Sequence, residues 1–268
     1  MRPTVVLAAL VLTVGCATGR TGLPAPAAPL GYLTSPQVQG IADGMEAPRA
    51  GWVPDDRETF DKVPPGTDRW WLAIAHAELR PPEAAQHFDC ALQTRLAQTP
   101  RPALTRLMQR LSADADAVTR TLAAETPRSR PIKRFDDLQP CQRIDETTRD
   151  GPSWPAGGAA VGAAYGEMFA ALAPDRADAV RRIGHEIGLS RTLCRMNWRS
   201  DVEDGATVGR TIFAAASRDP AFQADLAAAR LEVDAARAEG LTHPGCAAER
   251  RALSQIAGQA GRGATREP

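Results

Sequence analysis

From Thr67 onward, apolar positions recur at helical intervals. In PALTRLMQRLSADADAVTRTLAA, Leu104, Leu107, Met108, Leu111, Ala115 and Val118 fall three or four residues apart, which predicts a long amphipathic helix. DRWWLAIAHAEL follows Thr67 or Asp68, either a good N-cap, and predicts a core helix; Pro81 and Pro82 break it and start the next, PPEAAQHFDCALQTRLA. Residues 125–157 read as loop. GGAAVGAAYGEMFAAL is small and apolar almost all round, the pattern of a helix buried on every side, and Pro174 stops it. DRADAVRRIGHEIGLSRTLCRM and SDVEDGATVGRTIFAAAS predict two more helices. Asp219-Pro220 opens AFQADLAAARLEVDAARAEG and Gly240 closes it. HPGCAAERRALSQIAG is a last short helix. No strand of any length is convincing. The class expected is all-α, a compact bundle of about seven or eight helices.

Before Thr67 the pattern is different. Arg2 and the run VVLAALVLTV form a charged and then apolar leader too short to span a bilayer as a mature helix. Val14-Gly15-Cys16 ends it and resembles the lipobox of bacterial lipoproteins, which makes Cys16 the expected lipidation site and mature first residue. Ordinary cleavage after a small residue such as Ala17 is the alternative. Either implies export, to the periplasm or to a lipid anchor at the outer membrane of a bacterium. Residues 17–66, rich in Pro, Gly and Ala, read as a tether and extended arm. The division expected is 1–16 signal peptide, 17–66 tether and arm, 67–258 helical domain and 259–268 frayed tail.

Lys plus Arg and Asp plus Glu number 32 each in 268 residues, so charge points to no nucleic-acid partner, and to no membrane contact beyond a lipid anchor. Without Cys16 four cysteines remain: Cys90, Cys141, Cys194 and Cys246. In an oxidising compartment they imply two disulfides, with three possible connectivities. No pair has C-x-x-C spacing, and no metal or cofactor is expected.

Polar and small residues interrupt the helices in three places. Ser129-Arg130-Pro131 lies in a loop. Pro155-Ala156-Gly157-Gly158 leads into the buried helix, whose first amides and positive dipole end suit an anion. SRTLCRMNWRSD carries Ser190, Arg191, Asn197 and Asp201; on one helix, Asn197 and Asp201 are one turn apart and share a face. Arg130 and Arg191 are suited to close on one anion with forked hydrogen bonds.

Order, spacing and flanking text resemble the bacterial class A non-specific acid phosphatases, within the type 2 phosphatidic acid phosphatase and vanadium haloperoxidase superfamily. That family carries K-x6-R-P, then P-S-G-H, then S-R-x5-H-x3-D. The third motif is matched in spacing by Ser190-Arg191, Asn197 and Asp201, the second by SWPAGGAAVG, and the first by Arg130-Pro131 with Ala123 at the Lys position. The resemblance runs from about residue 67 to residue 250 and implies the compact helical fold of that superfamily.

It also implies roles. The family's nucleophilic His falls at Asn197, its general-acid His at Gly158 and its orienting Asp at Asp201. Arg130, Gly157, Ser190 and Arg191 survive as phosphate contacts, while Ala156 replaces a Ser. An amide nitrogen with its lone pair delocalised is no nucleophile, although it can still donate to Asp201. His76, His87, His185 and His243 lie outside the motifs and read as structural or surface residues. The resemblance pairs Cys141 with Cys194 and Cys90 with Cys246. The expected protein is a catalytically inactive pseudo-phosphatase keeping weak phosphate or phosphomonoester binding. The alternatives are residual hydrolysis by water attack on a phosphate held by the arginines, and a purely structural module of the cell envelope.

Overall fold

Glycines let the chain's most apolar helix touch two neighbours backbone to backbone. A computed structural model describes residues 30–48, 60, 63–141 and 143–263. The helices are α1 (Ser35–Asp43), α2 (Asp68–Ala75), α3 (Asp89–Leu92), α4 (Pro102–Glu125), α5 (Pro131–Arg134), α6 (Glu146–Asp150), α7 (Gly157–Leu172), α8 (Ala177–Leu193), α9 (Arg199–Ala216), α10 (Pro220–Ala238) and α11 (Cys246–Gly263). There is no strand among the described residues, and no helix there is long and apolar enough to cross a membrane. The fold is all-α, of the kind the resemblance implied.

α7 is the axis. Its Ala160, Ala164, Tyr165, Met168 and Phe169 are buried together with the Leu104–Val118 stripe of α4, which confirms the helical spacing read there. A Cβ added at Gly184 of α8 stands 2.4 Å from the Gly162 carbonyl of α7, and one at Gly209 of α9 stands 2.1 Å from the Ala160 carbonyl. Side chains at these points hold the helices apart. Glycine lets α7 run against α8 on one side and α9 on the other.

Several elements depart from the sequence reading. The segment before residue 67 is not wholly an extended arm. Thr34 donates its backbone N–H to Gln37 Oε1 (2.9 Å), a capping-box contact that starts α1. Tyr32 is buried, with its hydroxyl on Asp225 (2.9 Å) and its N–H on Asp114 (2.9 Å). The leader, Cys16 and the tether up to residue 29 lie outside the described residues. The expected second helix is broken into a 3-10 turn, Glu83–Phe88, and the four residues of α3. Asp89 Oδ1 accepts from Leu96 N (2.7 Å) and Thr94 Oγ1 (3.2 Å), folding the chain back over a left-handed Gln93. The loop at 125–157 contains α5 and α6.

Two disulfides close the fold. Cys141–Cys194 ties the loop after α5 to the end of α8, and Cys90–Cys246 ties α3 to α11, the same pairs the resemblance implied. Across 53 and 156 residues, each contributes about 4–5 kcal/mol in the chain-entropy model.

Gly209→Ala tests the close contact. At an open site in a helix this change stabilises by about 1 kcal/mol; here the new methyl meets the Ala160 carbonyl, and a loss of about 1–3 kcal/mol is expected in denaturant unfolding. Unchanged or raised stability contradicts the packing.

Candidate functional site

The packing of α7, α8 and α9 brings the three motif segments together. Gly157 and Gly158 open α7 with Ala156 as N-cap; Ala159 N–H makes the first helical bond, to Ala156 O (2.9 Å), so the two glycine amides precede it. Ala156 N–H donates to Asp201 O (2.9 Å), stitching this loop to α9. Arg191 rises from the last turn of α8 and crosses Gly158: a Cβ there meets Arg191 Cδ at 2.8 Å and Nε at 3.1 Å. The place the resemblance gives to a general-acid side chain is therefore filled by an arginine chain. Gly157 and Gly158 stay partly exposed, as do Arg130 and Arg191.

Arg130 precedes α5. Its Nε donates to Thr148 O (2.9 Å) and its Nη1 to Met196 O (2.9 Å), which sets the guanidinium beside the turn that carries Asn197. Arg191 has no hydrogen bond or ion pair from its guanidinium among the described residues, and its buried Nε is without a partner. Burial, followed by the like charge of Arg130, brings its pKa down to about 10, still charged at neutral pH. Burial also lowers Arg130, against the pull of Asp201. Two guanidiniums beside a helix N-terminus form a cationic corner that an anion stabilises.

Asn197 and Asp201 do not share a helical face. The chain leaves α8 through a left-handed Arg195 (φ 61°), and Trp198 caps α9, so Asn197 lies in the turn and Asp201 in the first helical turn. Nor does Asn197 bond to Asp201. Its Nδ2 donates to Ser153 O instead, and its Oδ1 is buried with no partner among the described residues. Asp201 is fully buried and already engaged: it accepts from Arg128 Nη1 (2.5 Å), Ser153 Oγ and Trp198 N–H (2.9 Å). Burial raises its pKa, and these partners oppose the rise. Where the resemblance predicts an imidazole on this carboxylate, a guanidinium is bound.

Ser190 does not join the cationic corner. Its hydroxyl accepts from Arg69 Nη1 (2.9 Å), faces His76 Nδ1 (2.8 Å) and donates to Glu186 O (2.8 Å), which leaves it no capacity for phosphate. The expectation placed it by motif spacing; the turn of α8 points it toward α2. Arg130 and Arg191 lie close enough to repel, and the Arg191 chain crosses the start of α7 at Gly158.

No family model matches the chain. It is 30% identical over 183 residues to the non-specific acid phosphatase of Salmonella typhimurium, covering 67% of this chain and 73% of that protein. It is 29% identical over 217 residues to the acid phosphatase of Zymomonas mobilis, covering 80% and 78%. Against the non-specific acid phosphatase of Providencia stuartii it is 28% identical over 169 residues. The chain belongs to the non-specific acid phosphatase family.

Within this acid phosphatase scaffold the histidines lie elsewhere. His76 is buried against Ser190, and burial, then His87 and Arg69, push its pKa well below the usual value, so it is neutral. His87 stacks edge-on with it at 5.2 Å and bonds to Glu78 O (2.7 Å). Among the described residues none of the four histidines hydrogen-bonds to Arg130, Arg191, Asn197 or Asp201. His243, Cys90 and Cys246 hold ligand-type atoms within 4.8 Å of one another, a grouping sequence spacing did not reveal; the two sulfurs are bonded to each other, which leaves no thiolate for a metal. A cavity of about 260 Å³ beside α11, lined by Trp71, His87, His243 and Glu249, includes no motif residue.

Arg128 and Ser153 are the site residues that sequence reasoning missed. Ser153 stood inside the SWPAGG text. Arg128 carried no signal, because its partner is 73 positions away.

Arg128→Met leaves Asp201 buried without its cation. The expected loss is about 3–5 kcal/mol at pH 7. Asp201, its pKa raised further in the variant, is neutralised as pH falls, so the deficit shrinks toward pH 4. Asp201→Asn added to Arg128→Met recovers part of it. Urea unfolding at the two pH values reads the effect; a loss independent of pH contradicts the ion pair.

Proposed function

We propose that this family member is an exported, catalytically silent phosphatase that holds a phosphate or phosphomonoester without cleaving it. The acid phosphatase names of its relatives supply the ligand class. One observation carries the silence: the nucleophile position is a buried amide tied to Ser153, and the carboxylate that would orient an imidazole is held by Arg128. In other enzymes, loss of a nucleophile lowers rates on the order of 10⁶-fold, which brings a modest hydrolase near background.

Binding draws on Arg191, whose Nε has no partner, on Arg130 at its side, and on the first amides of α7. Ala123 at the Lys position and the commitment of Ser190 to Arg69 and His76 make this binding weak. Export rests on the leader, and the lipid anchor on Cys16.

A chromogenic phosphomonoester is expected to show no turnover above buffer with pure protein, while inorganic phosphate binds saturably. Rapid ester cleavage by the unaltered chain, or a trapped phospho-intermediate on it, sinks this reading. Restoration has a specific requirement. Asn197→His, Gly158→His and Ala123→Lys together are expected to give only weak activity, because Arg128 still holds Asp201 and the Arg191 chain must move from Gly158. Adding Arg128→Leu frees the carboxylate to orient the new imidazole, and a further gain of about tenfold or more is expected. No gain counts against an otherwise competent site.

For the anchor, mass spectrometry of detergent-extracted mature protein is expected to find a lipid on Cys16, and Cys16→Ser to release the chain to the soluble fraction. A mature terminus beyond Cys16 excludes the anchor.

A further inference from the structure

We propose that the preferred ligand of this site is an oxyanion that still carries a proton, a monoprotonated phosphate or phosphomonoester, and that Asn197 recognises that proton. The inference rests on the anion-binding reading above and specifies its ligand.

Among the described residues, Arg191 and Asn197 each have a buried polar atom without a partner, and the two are of opposite kinds. Arg191 Nε is a donor; Asn197 Oδ1 is an acceptor. Asn197 is only 3% exposed. Its orientation is fixed, because Nδ2 donates to Ser153 O and a flipped amide sets two carbonyl oxygens against each other. An acceptor left unpaired in a buried place is costly, so the site is completed by a ligand that donates as well as accepts.

A fully deprotonated oxyanion brings acceptors only. It satisfies Arg191 and the helix amides and sets a negative oxygen against Asn197 Oδ1. Sulfate is of this kind throughout the working pH range. A phosphomonoester becomes so when it loses its second proton, with a pKa of about 6; inorganic phosphate keeps a P–OH through its second ionisation. The monoprotonated form has one P–OH to donate to Asn197 Oδ1, and its other oxygens accept from Arg191 and the amides of Gly157 and Gly158. An imidazole N–H at this position donates to an oxyanion; the carboxamide oxygen only accepts. In this chain the exchange of His for Asn therefore selects a ligand as well as removing a nucleophile.

The charged groups around Asn197 are Arg128 and Arg130 from the α4–α5 connection, Arg191 from α8, and Asp201 and Asp204 from α9. Arg191, its pKa brought down to about 10, keeps its charge. Burial raises both carboxyls, but Asp201 is held by Arg128, Ser153 and Trp198, and Asp204 by Trp154 Nε1 (2.7 Å). Their titration acts on every anion alike. Loss of the ligand's proton acts on a phosphomonoester and not on sulfate.

Calorimetric titration of the intact chain with a phosphomonoester, glycerol phosphate, and with sulfate, from pH 5 to 8.5, separates these effects. At pH 5.5 the phosphomonoester is expected to bind about tenfold or more tightly than sulfate. Above its second pKa, about 6, its affinity falls by about tenfold per pH unit, as the competent form is depleted. Sulfate lacks that fall. Asn197→Leu is expected to bring the phosphomonoester-to-sulfate ratio near one, with its melting temperature reporting that the fold is kept. Equal affinities with parallel pH profiles overturn the inference and leave the anion site standing. No binding of either anion at any pH overturns both.

Discussion

Everything at the motif cluster depends on the approach of α7 to α8 and α9 at backbone distance. Gly184 meets the Gly162 carbonyl and Gly209 meets the Ala160 carbonyl with no room for a methyl group. Packing this close fixes the angle and height of three helices at once. It places the N-terminus of α7 beside the C-terminal turn of α8 and the first turn of α9. Arg191, the two glycines and Asp201 then meet although they are spread along the chain.

A second local network is built around one carboxylate. Asp201 is fully buried and needs partners. A cation from the α4–α5 connection meets that need: Arg128 closes a buried ion pair, with Ser153 and Trp198 completing the shell. Asn197 turns to the Ser153 carbonyl. Among the described residues Arg191 has no ion-pair partner for its charge, and the proposed anion site rests on that imbalance.

Much of the fold was legible in the periodicity. The six apolar positions of α4, the all-round apolar α7 and the capped starts of α2 and α10 lie where the pattern put them. What failed has a physical cause in each case. Composition made residues 30–46 look like an arm, because Pro and Gly outweighed the short Thr34–Gln37 capping signal. Proline starts and apolar spacing predicted one helix after Pro82, but the Asp89 side chain competes for backbone N–H groups and breaks it. The uninterrupted helix imagined through Asn197 and Asp201 gives way to a turn at Arg195.

The sequence by itself determined where the long helices form, which residues stand at the motif positions, and that the chemistry of residue 197 is that of an amide. Those are local properties: side-chain chemistry and the period of burial are written in the order of residues. Only the tertiary structure decided what each polar group bonds to. Arg128 finds Asp201, Ser190 turns to Arg69 and His76, and Arg191 crosses Gly158, because packing brings distant segments within 3 Å or so of one another. A hydrogen bond is made or lost over less than an ångström, a distance no spacing along the chain can specify.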